Sequence, residues 1–112
     1  MSGAWKNQER LVAGWFGTTR NPLSGRNNRD DNNEVRCGDI IYKHAIVEVK
    51  RRRSVSMQVG LETRDLARPR MKPWLVYEFQ TGCADMVKLT CDHRTAEAIS
   101  HFLDEWWQTG RP

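Results

Sequence analysis

The sequence predicts one α/β domain, a four- to five-stranded central sheet flanked by helices. Three observations carry that expectation. Apolar residues recur at spacings of three and four near both ends of the chain, Ile- and Val-rich runs of strand length lie between them, and 112 residues suffice for one domain and not for two.

The first element is a helix over residues 5–16, where Trp5, Gln8, Val12, Trp15 and Phe16 form an amphipathic stripe and Gly17 ends it. Glu9 falls beside that stripe, between Trp5, Val12 and Phe16. A carboxylate turned toward the interior needs a partner, and the ordinary one is Lys6 or Arg10. Residues 18–36 then change character, being rich in Asn, Arg and acids and almost devoid of apolar side chains. A loop is expected there, with a short strand near 18–20. Arg20, Ser24, Arg26 and Arg29 suit phosphate oxygens, whereas Asp30, Asp31 and Glu34 favour a plain solvated linker.

Residues 39–42 and 45–49 flank Lys43 and His44, the pattern of an antiparallel hairpin. Centring the turn on that pair sets Ile41 opposite Ile46, Ile40 opposite Val47 and Asp39 opposite Glu48. Alternation then puts Asp39, Glu48 and Lys50 on one face and Ile40, Tyr42, Val47 and Val49 on the other. Asp directly across from Glu is repulsive in a purely structural ladder. A divalent cation reverses the sign of that interaction, and Mg²⁺ suits a site of few carboxylates that leaves room for water and phosphate. Lys50 would stand beside such a metal, holding a phosphate oxygen or positioning the attacking water. That is equipment for metal-assisted phosphodiester hydrolysis.

Lys50, Arg51, Arg52 and Arg53 form a dense cationic run, suited to a nucleic-acid backbone or else to a solvated strand end. Residues 54–68 fit two readings. Val55, Met57, Val59 and Leu61 alternate with small or polar residues as a strand would, yet Ser56 caps a helix that Pro69 would stop. Residues 74–79 and 85–90 read as strands joined through Thr81 and Gly82. The last helix is capped by Asp92 or Thr95 and carries Ile99, Phe102, Leu103 and Trp106 on one stripe. Trp106 and Trp107 cannot both face one interior, so one of them covers a surface groove or reaches a partner.

Composition narrows the function classes. Lys and Arg total 18 against 14 Asp and Glu, a net charge of +4 that is compatible with a polyanionic partner. No apolar run approaches a membrane span and residues 1–6 lack a signal-peptide core, so an intracellular protein, cytoplasmic or nucleoid-associated, is expected. Cys37, Cys83 and Cys91 lack the spacing of a zinc site or a disulfide framework and read as reduced thiols. The three histidines stand apart in sequence, His44 reading as a solvated turn residue. No Ser-His-Asp order and no phosphate-binding glycine loop occurs.

Gly38-Asp39 followed by Glu48-Val49-Lys50 resembles the signature of the PD-(D/E)xK nuclease superfamily. Glu9 in an opening helix, Ser24-Gly25 in the next loop and the Asp39-Ile40-Ile41 run are similar to archaeal-type Holliday junction resolvases. The likeness covers about the first 60 residues well and the rest in outline. It implies a restriction-endonuclease-like fold with a mixed sheet, and hence a helix over residues 54–68 joining parallel strands. It also implies a Mg²⁺ site, with Mn²⁺ as a substitute, held by Glu9, Asp39, Glu48 and Val49, with Lys50 completing the catalytic set. Arg10, Arg20, Ser24, Arg26, Arg29, Arg51, Arg52 and Arg53 would bind DNA, and Gln58 is a secondary site candidate or an ordinary exposed glutamine. A homodimer acting on four-way junctions follows from the same likeness, since two symmetric cuts need two equivalent centres. Gly38 stands where the family often has Pro, a change expected to leave the chemistry intact. The alternatives are another nuclease of the superfamily, of repair, nicking or restriction type, and a basic nucleic-acid-binding protein without catalysis.

Overall fold

The computed structural model describes residues 4–22, 38–52, 57–83 and 85–110. Helix α1 (Ala4–Trp15) opens the domain, as the stripe predicts. Strand β1 (Ile46–Arg52), helix α2 (Met57–Ala67), strand β2 (Trp74–Gln80), strand β3 (Lys88–Cys91) and helix α3 (His93–Gln108) follow in order. The sheet is mixed, with order β1-β2-β3: β1 runs parallel to β2, and β2 antiparallel to β3. Helix α2 supplies the crossover that parallel neighbours require. Residues 57–67 are therefore helical, and Pro69 sits in the single 3-10 turn, Arg68–Arg70, that follows.

The two faces of the sheet bury different sets. Val47, Val49, Leu75 and Phe79 pack with Val12 and Ala13 of α1 and with Ile40, and Tyr42 and Ile99 lie against them. On the opposite face Ile46 and Trp74 meet Leu66 and Ala67 of α2. The expected apolar face of Ile40, Tyr42, Val47 and Val49 thus forms.

The hairpin that was to carry it does not. Among the described residues the sheet has three strands, and residues 38–42 contribute only isolated bridges, Gly38 to Val47 in parallel sense and Ile40 to Arg20 in antiparallel sense. The expected pairing of Asp39 with Glu48 is replaced by one in which the Asp39 N–H donates to the Val47 carbonyl at 2.8 Å. The reason is chemical. The next N–H along that edge, of Val49, donates to the Asp39 carboxylate at 2.7 Å, so a side chain occupies the place a neighbouring strand would take. The short strand expected near 18–20 is reduced to the Arg20 bridge, closed by Asn21 N–H to the Asp39 carbonyl (2.8 Å) and Ile41 N–H to the Thr19 carbonyl (3.0 Å).

Helix α3 starts after Asp92, whose Oδ1 accepts from the Thr95 hydroxyl and from the Trp74 N–H at 3.3 Å, tying the helix to the start of β2. Trp106 is half-buried and Trp107 exposed, the division the sequence requires. Cys83 and Cys91 are free thiols, and burial followed by the nearby Asp92 pushes the Cys91 thiol up. No helix among the described residues is long and apolar enough to cross a membrane.

Candidate functional site

Strand β1 presents Ile46, Glu48 and Lys50 on the face that α2 covers, because side chains two apart share a face. Lys50 Nζ lies 3.9 Å from Glu48 Oε1. Lys50 is in register with Glu78 of β2, which places a second carboxylate on that face. Asp39 approaches β1 from its free edge through the two hydrogen bonds at Val47 and Val49. The N–H and C=O of one strand residue leave on the same side, so the Val49 carbonyl is directed to the edge where Asp39 stands. Asp39, Glu48, Val49 and Lys50 are thereby gathered around one short length of β1.

Glu9 takes another course. Its Oε1 accepts from Arg20 Nε at 2.9 Å, and Arg20 is held in place by the bridge to Ile40. Arg20, one of the arginines expected to face phosphate, is thus a partner of Glu9. Arg10 itself is exposed and donates to Asn7 Oδ1 at 3.1 Å. Among the described residues no group of three or more His, Cys, Asp or Glu side chains is placed to hold a metal ion. The structure does not bring Glu9, Asp39 and Glu48 into one such group.

Burial gives the site its electrostatic character. Glu9, Asp39, Glu48 and Glu78 are only 2, 5, 7 and 3% exposed, and among the described residues every buried charged side chain is an acid. Carboxylates removed from water require compensating cations or donors. Arg20 and Lys50, both only partly covered, supply some of that charge. Mg²⁺ needs one or two carboxylates and retains several waters. Asp39, Glu48 and the Val49 carbonyl fit that requirement without Glu9.

No family model, curated protein or solved structure matches the chain.

Arg51 is exposed beside Phe79 and Gln80, and Arg52 lies on β1, with its backbone alone described. Ser24, Arg26, Arg29 and Arg53 lie outside the described residues. Gln58 is exposed on α2 and donates to Glu62 Oε2 at 3.1 Å, as an ordinary helix glutamine does. His44 is exposed with its ring against Tyr42.

Two residues escaped the sequence reading. Glu78 becomes visible once β2 is known to run parallel beside β1. Asn21 is fully buried, and its Nδ2 donates to the Gly38 carbonyl at 3.0 Å, pinning the turn that delivers Asp39. Nothing local in the sequence marks it. The Glu9–Arg20 pair carries a prediction. Arg20→Met leaves a buried carboxylate without its 2.9 Å donor and is expected to lower stability by about 3 kcal/mol, read by urea denaturation. The double variant Glu9→Met/Arg20→Met should recover most of that loss, and no recovery would mean that the pair is not coupled.

Proposed function

We propose that the protein is a Mg²⁺-dependent, structure-selective DNA endonuclease that hydrolyses phosphodiester bonds at four-way junctions, a Holliday junction resolvase. One observation supports this reading above the others. Asp39 is hydrogen-bonded to the backbone of Val49, between Glu48 and Lys50, in a region whose buried charges are all acidic among the described residues.

Asp39, Glu48 and the Val49 carbonyl are the groups that would hold Mg²⁺, or Mn²⁺ in its place. The ion supplies Lewis acidity toward a phosphate oxygen and acidifies bound water. Lys50 keeps its ammonium beside Glu48 and is half-exposed, placed to neutralise a phosphate oxygen arriving from solvent. Glu9 and Arg20 act one step further out. Their ion pair, together with Asn21, fixes the segment from which Asp39 projects. Arg10 and Arg51, both exposed, belong to the phosphate-binding face, whose affinity for DNA falls with salt. The protein acts as a homodimer, because two symmetric cuts need two equivalent centres.

The deciding experiment compares a synthetic four-way junction with linear duplex, flap and nicked DNA, with and without Mg²⁺. Selective cutting of the junction in Mg²⁺ is the expected result. Equal cutting of all four substrates would refute the resolvase assignment and leave a less selective nuclease. Binding without cleavage under any divalent metal would leave a basic nucleic-acid-binding protein.

A further inference from the structure

A second site lies at the far end of the sheet. A cavity of about 830 Å³ opens between the end of α1, residues 42–45, the approach to β2 and the first turn of α3. Ala45 in its wall is four residues from Val49, whose N–H the Asp39 carboxylate accepts, so about 13 Å of strand separates the cavity from that carboxylate. Its size is that of pockets that enclose a small organic molecule.

Its lining has two kinds of group. Phe16, Tyr42 and His44 follow one another as an aromatic cluster, Phe16 and Tyr42 tilted by 59° at 5.0 Å between ring centroids and Tyr42 and His44 edge-to-face at 78° and 5.4 Å. Tyr42 is only partly covered and His44 is exposed, so ring faces remain available to a planar guest. Lys72 and Arg94 also line the cavity, two cations at the same opening. Asp92 also lines the cavity, a carboxylate that an anion avoids, with its Oδ1 accepting from the Thr95 hydroxyl and the Trp74 N–H. An anionic group is thus directed toward Lys72 and Arg94, away from Asp92. Met71 stands on the rim, 92% exposed and in the left-handed region at φ 55°. That conformation ends the 3-10 turn Arg68–Arg70, with the Met71 N–H donating to the Arg68 carbonyl.

We infer that this cavity binds a nucleotide, with the base stacked on the exposed His44 ring and the phosphate held by Lys72 and Arg94. Stacking alone would accept any aromatic ring, and cations alone any anion. The two together select a ligand that carries both within one small molecule. A free mononucleotide and the phosphorylated end of a DNA strand share that chemistry. The inference is independent of the nuclease reading, since none of its residues belongs to the Asp39 centre.

The test is calorimetric titration of the full chain in the absence of divalent metal, so that the Asp39 centre does not contribute. Adenosine monophosphate is expected to bind with a Kd on the order of 10–100 µM. Adenosine and inorganic phosphate should each bind at least about tenfold more weakly, and His44→Ala and Arg94→Ala should each weaken the nucleotide about tenfold. Both side chains are exposed, so unchanged melting temperatures are expected of the variants. A short single-stranded oligonucleotide with and without a 5′-phosphate separates the sources. Phosphate-dependent binding that both variants weaken identifies a strand end, and binding of the mononucleotide alone identifies a free nucleotide. The inference is overturned if the nucleotide binds no better than phosphate, or if both variants bind it as the parent does. Either failure leaves junction cleavage at the Asp39 centre untouched.

Discussion

Asp39→Asn is expected to reduce Mg²⁺-dependent junction cleavage by at least about a thousandfold, a loss of about 4 kcal/mol in transition-state stabilisation, while the domain stays folded. The local geometry separates the two roles of this residue. Its structural role is to accept the Val49 N–H at 2.7 Å, and the amide oxygen of Asn can do the same. Its proposed chemical role needs a negative charge facing the ion and a water-bearing coordination sphere, which an amide serves poorly. Melting temperature should therefore move little and junction binding in gel shifts should persist. Lys50→Ala, at a partly exposed position, should slow cleavage by about a hundredfold with junction affinity nearly unchanged. Full cleavage by Asp39→Asn would remove this residue from the centre. A variant that cuts poorly only because it no longer folds would show the carboxylate to be a structural brace and no more.

How far the residues announced the structure depends on the range of the interactions that decide each element. Helix α1 and strand β2 form within a residue of the expected bounds, because period 3.6 or a continuous apolar run is a local signal. Residues 54–68 give two signals at once. The helix prevails because Val59, Thr63 and Ala67, four apart, turn to the sheet, and Gly60 lets Thr90 and Trp74 come close, a Cβ there lying 3.2 Å from Thr90 Cγ2. That stripe is visible only once the neighbours of the helix are known.

The hairpin failed for a different reason. Ile- and Val-rich residues announce extended backbone and a buried face, and both are present at Ile40 and Val47. Which donor meets which acceptor is another matter, and at Val49 a carboxylate outcompeted a strand. The candidate site was legible where it is compact along the chain, at Glu48, Val49 and Lys50. It was illegible where it depends on distant pairs: Arg20 with Glu9, Asn21 with Gly38, and Glu78 beside Lys50.

Gly38→Pro, which would introduce the residue common in the resembled nucleases, is expected to disable the protein, because the backbone of Gly38 is closed to proline. Gly38 has φ +105°, in a region that L side chains avoid. A Cβ built on it would lie 2.9 Å from the Val47 carbonyl oxygen and 3.2 Å from the Val47 nitrogen. Both are backbone atoms of β1 and cannot swing aside. Proline fixes φ near −65°, so it would have to unmake the turn that Asn21 holds and draw Asp39 away from Val49. Gly38→Ala meets the same atoms with less constraint. It should lower stability by about 2–4 kcal/mol, roughly 10–25 °C in Tm for a domain of this size, with cleavage lost at temperatures where the parent is active. Thermal melts and the junction assay on both variants check the pair. Wild-type stability and activity in Gly38→Pro would show that the close Gly38–Val47 approach is not what delivers Asp39 to β1.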